Sequence, residues 1–401
     1  MNTKPALDFV YFDAGGGHRS AAIALQSVIA SMRLPWDVRL MNLQDVLDPL
    51  DIFRRLTGVR MQDIYNFVLA KGWTIGSTSL LPPMHGLIRL YLPAQIRILR
   101  AAWKEPQPDM VVSLIPNFNR ALFKSLEIAR PGVPLVTILT DMADYPPHFW
   151  IERQPQYLIC GTDHAAEQAK AAGHDSKHVY RTSGMILRPQ FYEQPCVDPF
   201  AERERLGLNP NLPTGLVLFG GEGSNAMFSI ARCLGNCATD LQLILICGRN
   251  ANLRRRLRNL RTRNRMLVEG FTKEIPFYMQ LSDFFIGKPG PGSISEALKM
   301  GLPIIVERNA WTLPQERFNT DWIREQGVGL VLKNFRHIDE VIGELLAGQH
   351  LADMKHRIER LENRAVFEIP SILQEILHKT YAGLTPEDAA ASEPPAQHTA
   401  T

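Results

Sequence analysis

Twice along this chain a short apolar run ends in a cluster of glycines and passes directly into a helical pattern. Residues 7–12 run into Gly15-Gly16-Gly17, after which Ala21, Ala22, Leu25, Val28, Ile29 and Met32 keep a 3.6-residue apolar period. Residues 215–219 run into Gly220-Gly221-Glu222-Gly223 and then a second helix. A buried strand, a glycine turn and a helix are the opening of a parallel α/β sheet. Further strands are predicted at 38–42, 110–114, 135–139 and 157–160, and in the second half at 241–247, 266–269, 283–286 and 303–306. The pattern predicts an α/β chain of two Rossmann-like domains, parallel sheets facing a central cleft. Their limits are read as 1–195 and 196–368, joined through the proline-rich stretch 188–208. A helix over 369–382 is expected to return to the first domain. The tail 383–401 has little to bury and is expected to be disordered.

Composition narrows the function classes. The chain of 401 residues is 45% hydrophobic and 21% charged, which gives a globular protein with sizeable cores. A net charge of +3 is too mild to argue for nucleic acid. The arginines from Arg254 to Arg265 lack interleaved aromatics and read as a solvated helix face. Five cysteines have no metal-ligand or redox spacing and fit reduced thiols in a cytoplasm. The first residues, MNTKPALDFVYF, lack the basic-then-apolar order of a signal peptide. Between Phe53 and Lys104, eight basic residues face Asp63 alone. The uncharged stretch 72–88 inside this window is broken by Pro82, Pro83 and glycines, too interrupted to span a bilayer.

Three turns carry chemistry. The first holds Gly17 and His18 at a helix start, where free N–H groups favour a polar or anionic ligand. Ser20 stands where a dinucleotide fingerprint needs its third glycine, and residues 38–42 end without an acid, so a nicotinamide reading is the weaker one. The second turn contains Gly221, Ser224 and Asn225 and suits a diphosphate, but lacks the Lys-Ser/Thr ending of a P-loop. The third is Gly287-Lys288-Pro289-Gly290-Pro291-Gly292-Ser293, with Glu296 read onto the first turn or so of its helix. A carboxylate there can accept both hydroxyls of a ribose diol. It can equally complement the helix dipole, worth ~0.3–1 kcal/mol. Gln315 and Glu316 open a later helix with groups suited to sugar hydroxyls. No G-x-S-x-G elbow is present.

Together these motifs resemble the GT-B glycosyltransferases of family 28, and more closely the monogalactosyldiacylglycerol synthases and related diacylglycerol glycosyltransferases. The residues that carry the resemblance are Gly15-Gly16-Gly17-His18-Arg19, Thr140-Asp141 with His148 and Trp150, and Cys247-Gly248-Arg249-Asn250. Gly270-Phe271-Thr272, Lys288–Ser293 and Glu296-Ala297 complete the set. The resemblance implies that the second domain holds a UDP-sugar and the first binds the acceptor. It implies that Glu296 holds the ribose and that backbone near Phe271 and Thr272 reads uracil. Gly221, Ser224, Asn225, Gly290, Pro291, Gly292 and Ser293 would surround the diphosphate, with Arg249 and Lys288 offsetting its charge, and Gln315 and Glu316 would contact the sugar. The chain departs from the family at Lys288-Pro289-Gly290 and at Ala143-Asp144-Tyr145-Pro146-Pro147.

The implied reaction is an inverting transfer of a hexose, galactose favoured and glucose possible, to diacylglycerol or a related lipid. It needs a base near the acceptor hydroxyl. His18 is the first choice, and Asp141 is either the competing base or the group that orients it. The chain has no D-x-D, so neither a metal at the diphosphate nor another cofactor is expected. The anionic inner face of a cell membrane is the expected partner surface, reached peripherally through the basic window with Trp73, Arg89, Arg97 and Arg100, while Gly17, His148 and Trp150 line the acceptor side. A helix over 86–104, kinked at Pro93 and packed on its own domain, is the plainer account of those cations. Two other classes stay open. One is a sugar-nucleotide enzyme on the same fold, an epimerase or a peptidoglycan-precursor N-acetylglucosaminyltransferase. The other is a silent nucleotide-sugar or nucleic-acid binder.

Overall fold

The computed structural model describes residues 4–13, 16–50, 90–193, 198–310 and 312–382. Outside them lie Gly15, Trp73, Arg89, most of the basic window, Cys196 and the tail 383–401.

The first half is built from β1 (Ala6–Tyr11), α1 (Gly17–Ser31), β2 (Asp37–Asn42), α2 (Leu43–Leu47), α3 (Leu92–Ala102), β3 (Met110–Ser113), α4 (Asn119–Ala129), β4 (Leu135–Ile138), β5 (Tyr157–Cys160), α5 (Asp163–Ala171) and β6 (Val179–Arg181). Its strands form one parallel sheet in the order β2-β1-β3-β4-β5-β6. A second six-stranded parallel sheet follows in the order β12-β11-β10-β7-β8-β9. Its elements are α6 (Pro199–Arg205), β7 (Thr214–Leu218), α7 (Ala226–Gly235), β8 (Gln242–Ile246), α8 (Ala251–Arg258), β9 (Arg265–Glu269), α9 (Ile275–Gln280), β10 (Phe284–Gly287), α10 (Pro291–Lys299), β11 (Ile304–Glu307), α11 (Pro314–Gln326) and β12 (Gly329–Leu332). Then come α12 (Ile338–Ala347), α13 (His350–Ile358) and α14 (Ala365–Ala382).

Strand periodicity fixes the layers. In β7 and β8, Val217, Leu243 and Leu245 face one core with α7, α8 and α12, while Leu216, Ile244 and Ile246 face the other with α10 and α11. In the first sheet, Leu7, Phe9 and Val112 pack on α1 and α14, and Val10 and Val111 pack on α3 and α4. Each sheet thus has helices on both faces, the two-domain α/β arrangement expected of the alternating pattern.

Several elements differ from expectation. The stretch 188–208 is not bare connection. It carries a 3-10 turn, Pro189–Phe191, and α6, whose Arg203 bonds Leu281 O at 3.0 Å and Asp283 at 2.9 Å and so docks on the second half. The helix read from Ile369 begins one turn earlier at Ala365, with Pro370 inside it. Pro93 sits at the first turn of α3, where its missing N–H costs nothing, so within the described residues it starts that helix instead of kinking it. The short strands β6 and β12 were not legible, each being three or four residues at a sheet edge. The described cysteines, Cys160, Cys233, Cys237 and Cys247, are free thiols.

Candidate active site

In an open parallel sheet the loops at the strands' carboxyl ends diverge where strand order reverses, leaving a crevice. In the second sheet that point lies between β7 and β10, so the two glycine turns 220–225 and 288–293 face one another there. The turn after β7 is packed backbone to backbone against the turn after β8. Arg249 N donates to Gly221 O at 2.8 Å, and a Cβ on Gly248 (φ +58°) would lie 2.1 Å from Gly221 O. From the other side, a Cβ on Gly223 (φ +62°) would lie 2.8 Å from Cys247 O. Ser224 Oγ accepts from Ala226 N at 3.2 Å, and Asn225 Oδ1 takes Arg256 Nη1 at 3.4 Å. The N-terminus of α10 has no side-chain cap, so its first N–H groups and positive dipole end remain for an anion, whereas at α7 the N–H groups of Ala226, Met227 and Phe228 are taken by Ser224 and Asn225 and only the dipole end is offered. Gly290 is the N-cap of α10, followed by Pro291, Gly292 and Ser293.

Cations ring this crevice. Arg249 Nη1 pairs with Glu222 at 3.0 Å and its guanidinium lies 4.7 Å from the Phe271 ring centroid. Phe271 is 54% exposed, a large apolar ring left on the rim. Thr272 Oγ1 is occupied by Glu274 N at 3.0 Å. Lys288 Nζ stands 3.5 Å from Glu316 Oε1, and Glu316 is buried at the start of α11 beside the half-buried Gln315. Glu296 lies on the second turn of α10, not the first, because the helix starts at Pro291. Burial pushes its pKa up to about 7, and Arg188, whose Nη2 is 3.7 Å from Oε1, pulls the other way. Arg188 escaped the sequence reading. No local pattern marks a residue whose partner is so distant in the chain.

The acceptor side forms where β1, β3 and β4 end, the reversal point of the first sheet. Gly16 (φ +79°) turns the chain into α1, Gly17 is exposed, and His18 follows. His18 Nδ1 lies 2.9 Å from Thr140 Oγ1, and its ring centroid is 5.9 Å from that of Trp150. The fully buried Trp150 donates its indole N–H to Asp141 Oδ2 at 2.9 Å. The group hydrogen-bonded to His18 is therefore Thr140, with Trp150 bonded to Asp141 beside it. Burial lowers the His18 pKa to about 4, against the nearby Leu114 carbonyl that raises it. Burial raises the Asp141 pKa to about 6. The Trp150 N–H and Lys288 lower it, while Glu316 and Asp144 push it further up. Asp141 on the first sheet thus shares an electrostatic neighbourhood with Glu316 and Lys288 on the second.

His148 is tied into its own loop. Its N–H donates to Asp144 Oδ2 at 2.9 Å and its Nδ1 lies 3.1 Å from Ile151 O. Nearby, the halves also meet through aromatic rings. Phe318 of α11 stacks on His164 of α5 at 4.5 Å and lies 6.0 Å from Tyr145. Arg97 and Arg100 are exposed on α3, whose Leu99 faces the core beside Trp103. Among the described residues, no helix is long and apolar enough to cross a membrane.

Residues 216–332 match the glycosyltransferase family 28 C-terminal domain. Among curated proteins, the chain is 30% identical over 286 residues to monogalactosyldiacylglycerol synthase 1, chloroplastic, of Arabidopsis thaliana, covering 68% of this chain and 52% of that one. It is 29% identical over 348 residues to probable monogalactosyldiacylglycerol synthase 2, chloroplastic, of Oryza sativa subsp. japonica, covering 81% and 70%. The chain thus spans about half the length of the first of these relatives. Among solved structures, the fold is similar to Acinetobacter baumannii MurG, with TM-score 0.58 and 12% identity over 93% of this chain and 99% of that one. It is similar also to the S. aureus MnaA-UDP co-structure, with TM-score 0.60 and 16% identity over 95% and 98%. At those identities the likeness concerns the fold alone. With the matched C-terminal domain, the two facing parallel sheets and these relatives, the chain is a GT-B protein of glycosyltransferase family 28, similar to the monogalactosyldiacylglycerol synthases.

Proposed function

We propose that this protein transfers a hexose, galactose before glucose, from a UDP-sugar to diacylglycerol or a related lipid, giving a β-glycolipid. The observation that carries the reading is that Asp141, just past β4, lies within electrostatic reach of Lys288 and Glu316, an ion pair of the second half. A proton acceptor and a polar sugar-binding pair then address one reacting centre. In this reading the acceptor hydroxyl gives its proton to Asp141 as its oxygen attacks the anomeric carbon. The bond from that carbon to the diphosphate oxygen breaks, and the electron pair leaves with UDP. The departing charge would meet the uncapped N-terminus of α10 with Arg249 and Lys288, donors that need no reorganisation at that moment. No cofactor enters this scheme.

Asp141 suits the task better than His18, because a base works best with a pKa near the working pH, and about 6 is closer than about 4. His18, neutral at pH 7, would orient the acceptor hydroxyl. Glu296 would hold the ribose, Phe271 and Thr272 would flank uracil, and Gln315 and Glu316 would meet the sugar hydroxyls. Membrane attachment in this reading is peripheral, on the anionic cytoplasmic face, supported by the exposed Arg97 and Arg100.

The test is purified protein with diacylglycerol vesicles and a panel of UDP-sugars, products resolved by mass. One hexosyl-diacylglycerol from one donor is the expected result. Conversion of a UDP-sugar without lipid would replace the reading with an epimerase, and no turnover with any pair would leave a binder.

A further inference from the structure

Resting on the reading of Asp141 as the proton acceptor, we infer that Asp144 is a positioning residue that holds Trp150 so that its indole N–H keeps Asp141 ionised. Asp144 is 5% exposed, and both carboxylate oxygens are used within the loop. Oδ1 accepts from Trp150 N at 2.6 Å and Oδ2 from His148 N at 2.9 Å. Gln168 of α5 clamps the residue itself, its Oε1 taking Asp144 N at 2.8 Å and its Nε2 donating to Asp144 O at 3.2 Å. On the other side, Asn119 Nδ2 donates to Trp150 O at 3.0 Å, and Asn119 is in turn held by Ser113 Oγ at 2.6 Å. Trp150 is pinned through both its backbone groups, and the indole reaches Asp141 Oδ2 as a result.

The bracket has an electrostatic purpose. A buried carboxylate loses solvation, and a donor aimed at it restores part of what water supplied. Asp141 faces Glu316 and Lys288 from the second half, Asp144 from its own loop and Trp150 as donor. Of these, the Trp150 hydrogen bond outweighs the repulsion from Asp144. Removing Asp144 therefore acts on Asp141 in two opposite directions. Loss of its charge lowers the pKa, and loss of the pinned indole raises it by more. If Asp144 only closed the loop, losing its charge would lower the Asp141 pKa and nothing would raise it.

The experiment uses the full chain without substrate and follows the Trp150 indole N–H by nitrogen-15 NMR as pH is varied, with Trp150→Phe assigning the resonance. In the wild type the resonance should titrate with a midpoint about 6, reporting Asp141, and should stop titrating in Asp141→Asn. In Asp144→Ala the resonance should leave its hydrogen-bonded position and lose this titration. Asp144→Asn, which keeps one acceptor oxygen and guards against misfolding, should restore part of it. With UDP-sugar and diacylglycerol vesicles saturating, the acid limb of kcat should move to higher pH in both Asp144→Ala and Trp150→Phe. An unchanged indole titration in folded Asp144→Ala would overturn the inference, as would an acid limb displaced downward. Full turnover in Asp141→Asn would instead sink the reading of Asp141 as base, while the indole titration would still report the bracket.

Discussion

Arg188 Nη2 lies 3.7 Å from Glu296 Oε1, so the carboxylate read as the ribose ligand already faces a cation, carried by a segment whose Leu187 and Phe191 pack into the core of the second half. Burial nonetheless keeps the Glu296 pKa near 7, well above the ordinary carboxylate range. Ribose hydroxyls donate best to the ionised form. UDP affinity should therefore rise with pH and level above about 7, falling by up to about tenfold per pH unit below it. Stability should move the opposite way. A raised folded-state pKa means the folded chain binds the extra proton between the ordinary value and about 7, so this contribution is present at low pH and lost as pH climbs through that window. Glu296→Gln should flatten both slopes and cost on the order of 1.5–3 kcal/mol in UDP binding. Calorimetry from pH 5.5 to 8 reads both, and a pH-independent affinity unchanged by the substitution would remove Glu296 from the donor site.

The glycines of the donor turns divide into two kinds. Gly248→Ala forces a left-handed φ on alanine, worth ~1–2 kcal/mol, and drives its methyl onto Gly221 O. The melting temperature should drop, and UDP binding should weaken with it. Gly292 has a permissive backbone and open space where its Cβ would sit. Gly292→Ala should keep or slightly raise stability yet weaken UDP binding, because the methyl occupies the approach to the α10 N-terminus. Normal UDP affinity in Gly292→Ala would move the diphosphate away from that helix.

The reach of the sequence follows from what kind of constraint each residue answers. Glycine turns after β1 and β7 were legible because their demands are local: a left-handed φ at Gly16, and at Gly223 a left-handed φ with backbone too close for a side chain. Asp141, Glu296 and Glu316 were legible as carboxylates at motif positions. Their pairings were not. Arg188 with Glu296, Trp150 with Asp141 and Phe318 with His164 each join residues on different elements, and no spacing rule connects them. Glu296, read onto the first turn or so, falls on the second because only the structure fixes Gly290 as the cap. Strand β12 was missed although its Gly329 packs directly on Ile304 O, a contact between strands that periodicity cannot register.

Asp141 and His18 separate by pH and by kinetic constant. Asp141→Asn should lose roughly 10²–10⁴-fold in kcat with UDP-sugar affinity intact. His18→Ala should act mainly on the KM for the lipid, since the imidazole is neutral at pH 7 and poorly basic. Its lowered pKa also makes the folded state bind fewer protons, so the His18 contribution to stability is present above about 6.5 and lost as pH falls towards about 4. A large kcat loss in His18→Ala with Asp141→Asn fully active would hand the base role back to the histidine.

Phe318 ties the donor half to the acceptor half two residues from Glu316. Its ring stacks on His164 at an interplanar angle of 19°, and Tyr145 OH lies 3.2 Å from His164 Nε2. Such aromatic pairs contribute ~0.5–1.5 kcal/mol beyond area burial. Phe318→Ala should lower kcat/KM by about two- to tenfold, matching that energy, while isolated UDP binding holds. Phe318→Tyr should recover most of it. Wild-type kcat/KM in the alanine variant would mean that the halves need no such bridge.

Membrane attachment leads to the last prediction. Arg97 and Arg100 are both exposed on α3 while Leu99 between them is buried, so the helix is anchored and its cations point to solvent. A basic residue near an anionic surface contributes ~1 kcal/mol, and that attraction is screened over ~8–10 Å at ordinary salt. Binding to vesicles of phosphatidylglycerol in phosphatidylcholine should therefore weaken as salt rises. Reversing Arg97 and Arg100 to Glu together with Arg89, which lies outside the described residues, should weaken partitioning strongly and leave UDP affinity unchanged. Charge reversal of Arg254 and Arg255 on α8 serves as the comparison, since it alters net charge equally per residue on the other half. Equal losses per charge reversed in both sets would mean that the protein responds only to its net charge, and unchanged partitioning in the α3 set would move the membrane face elsewhere.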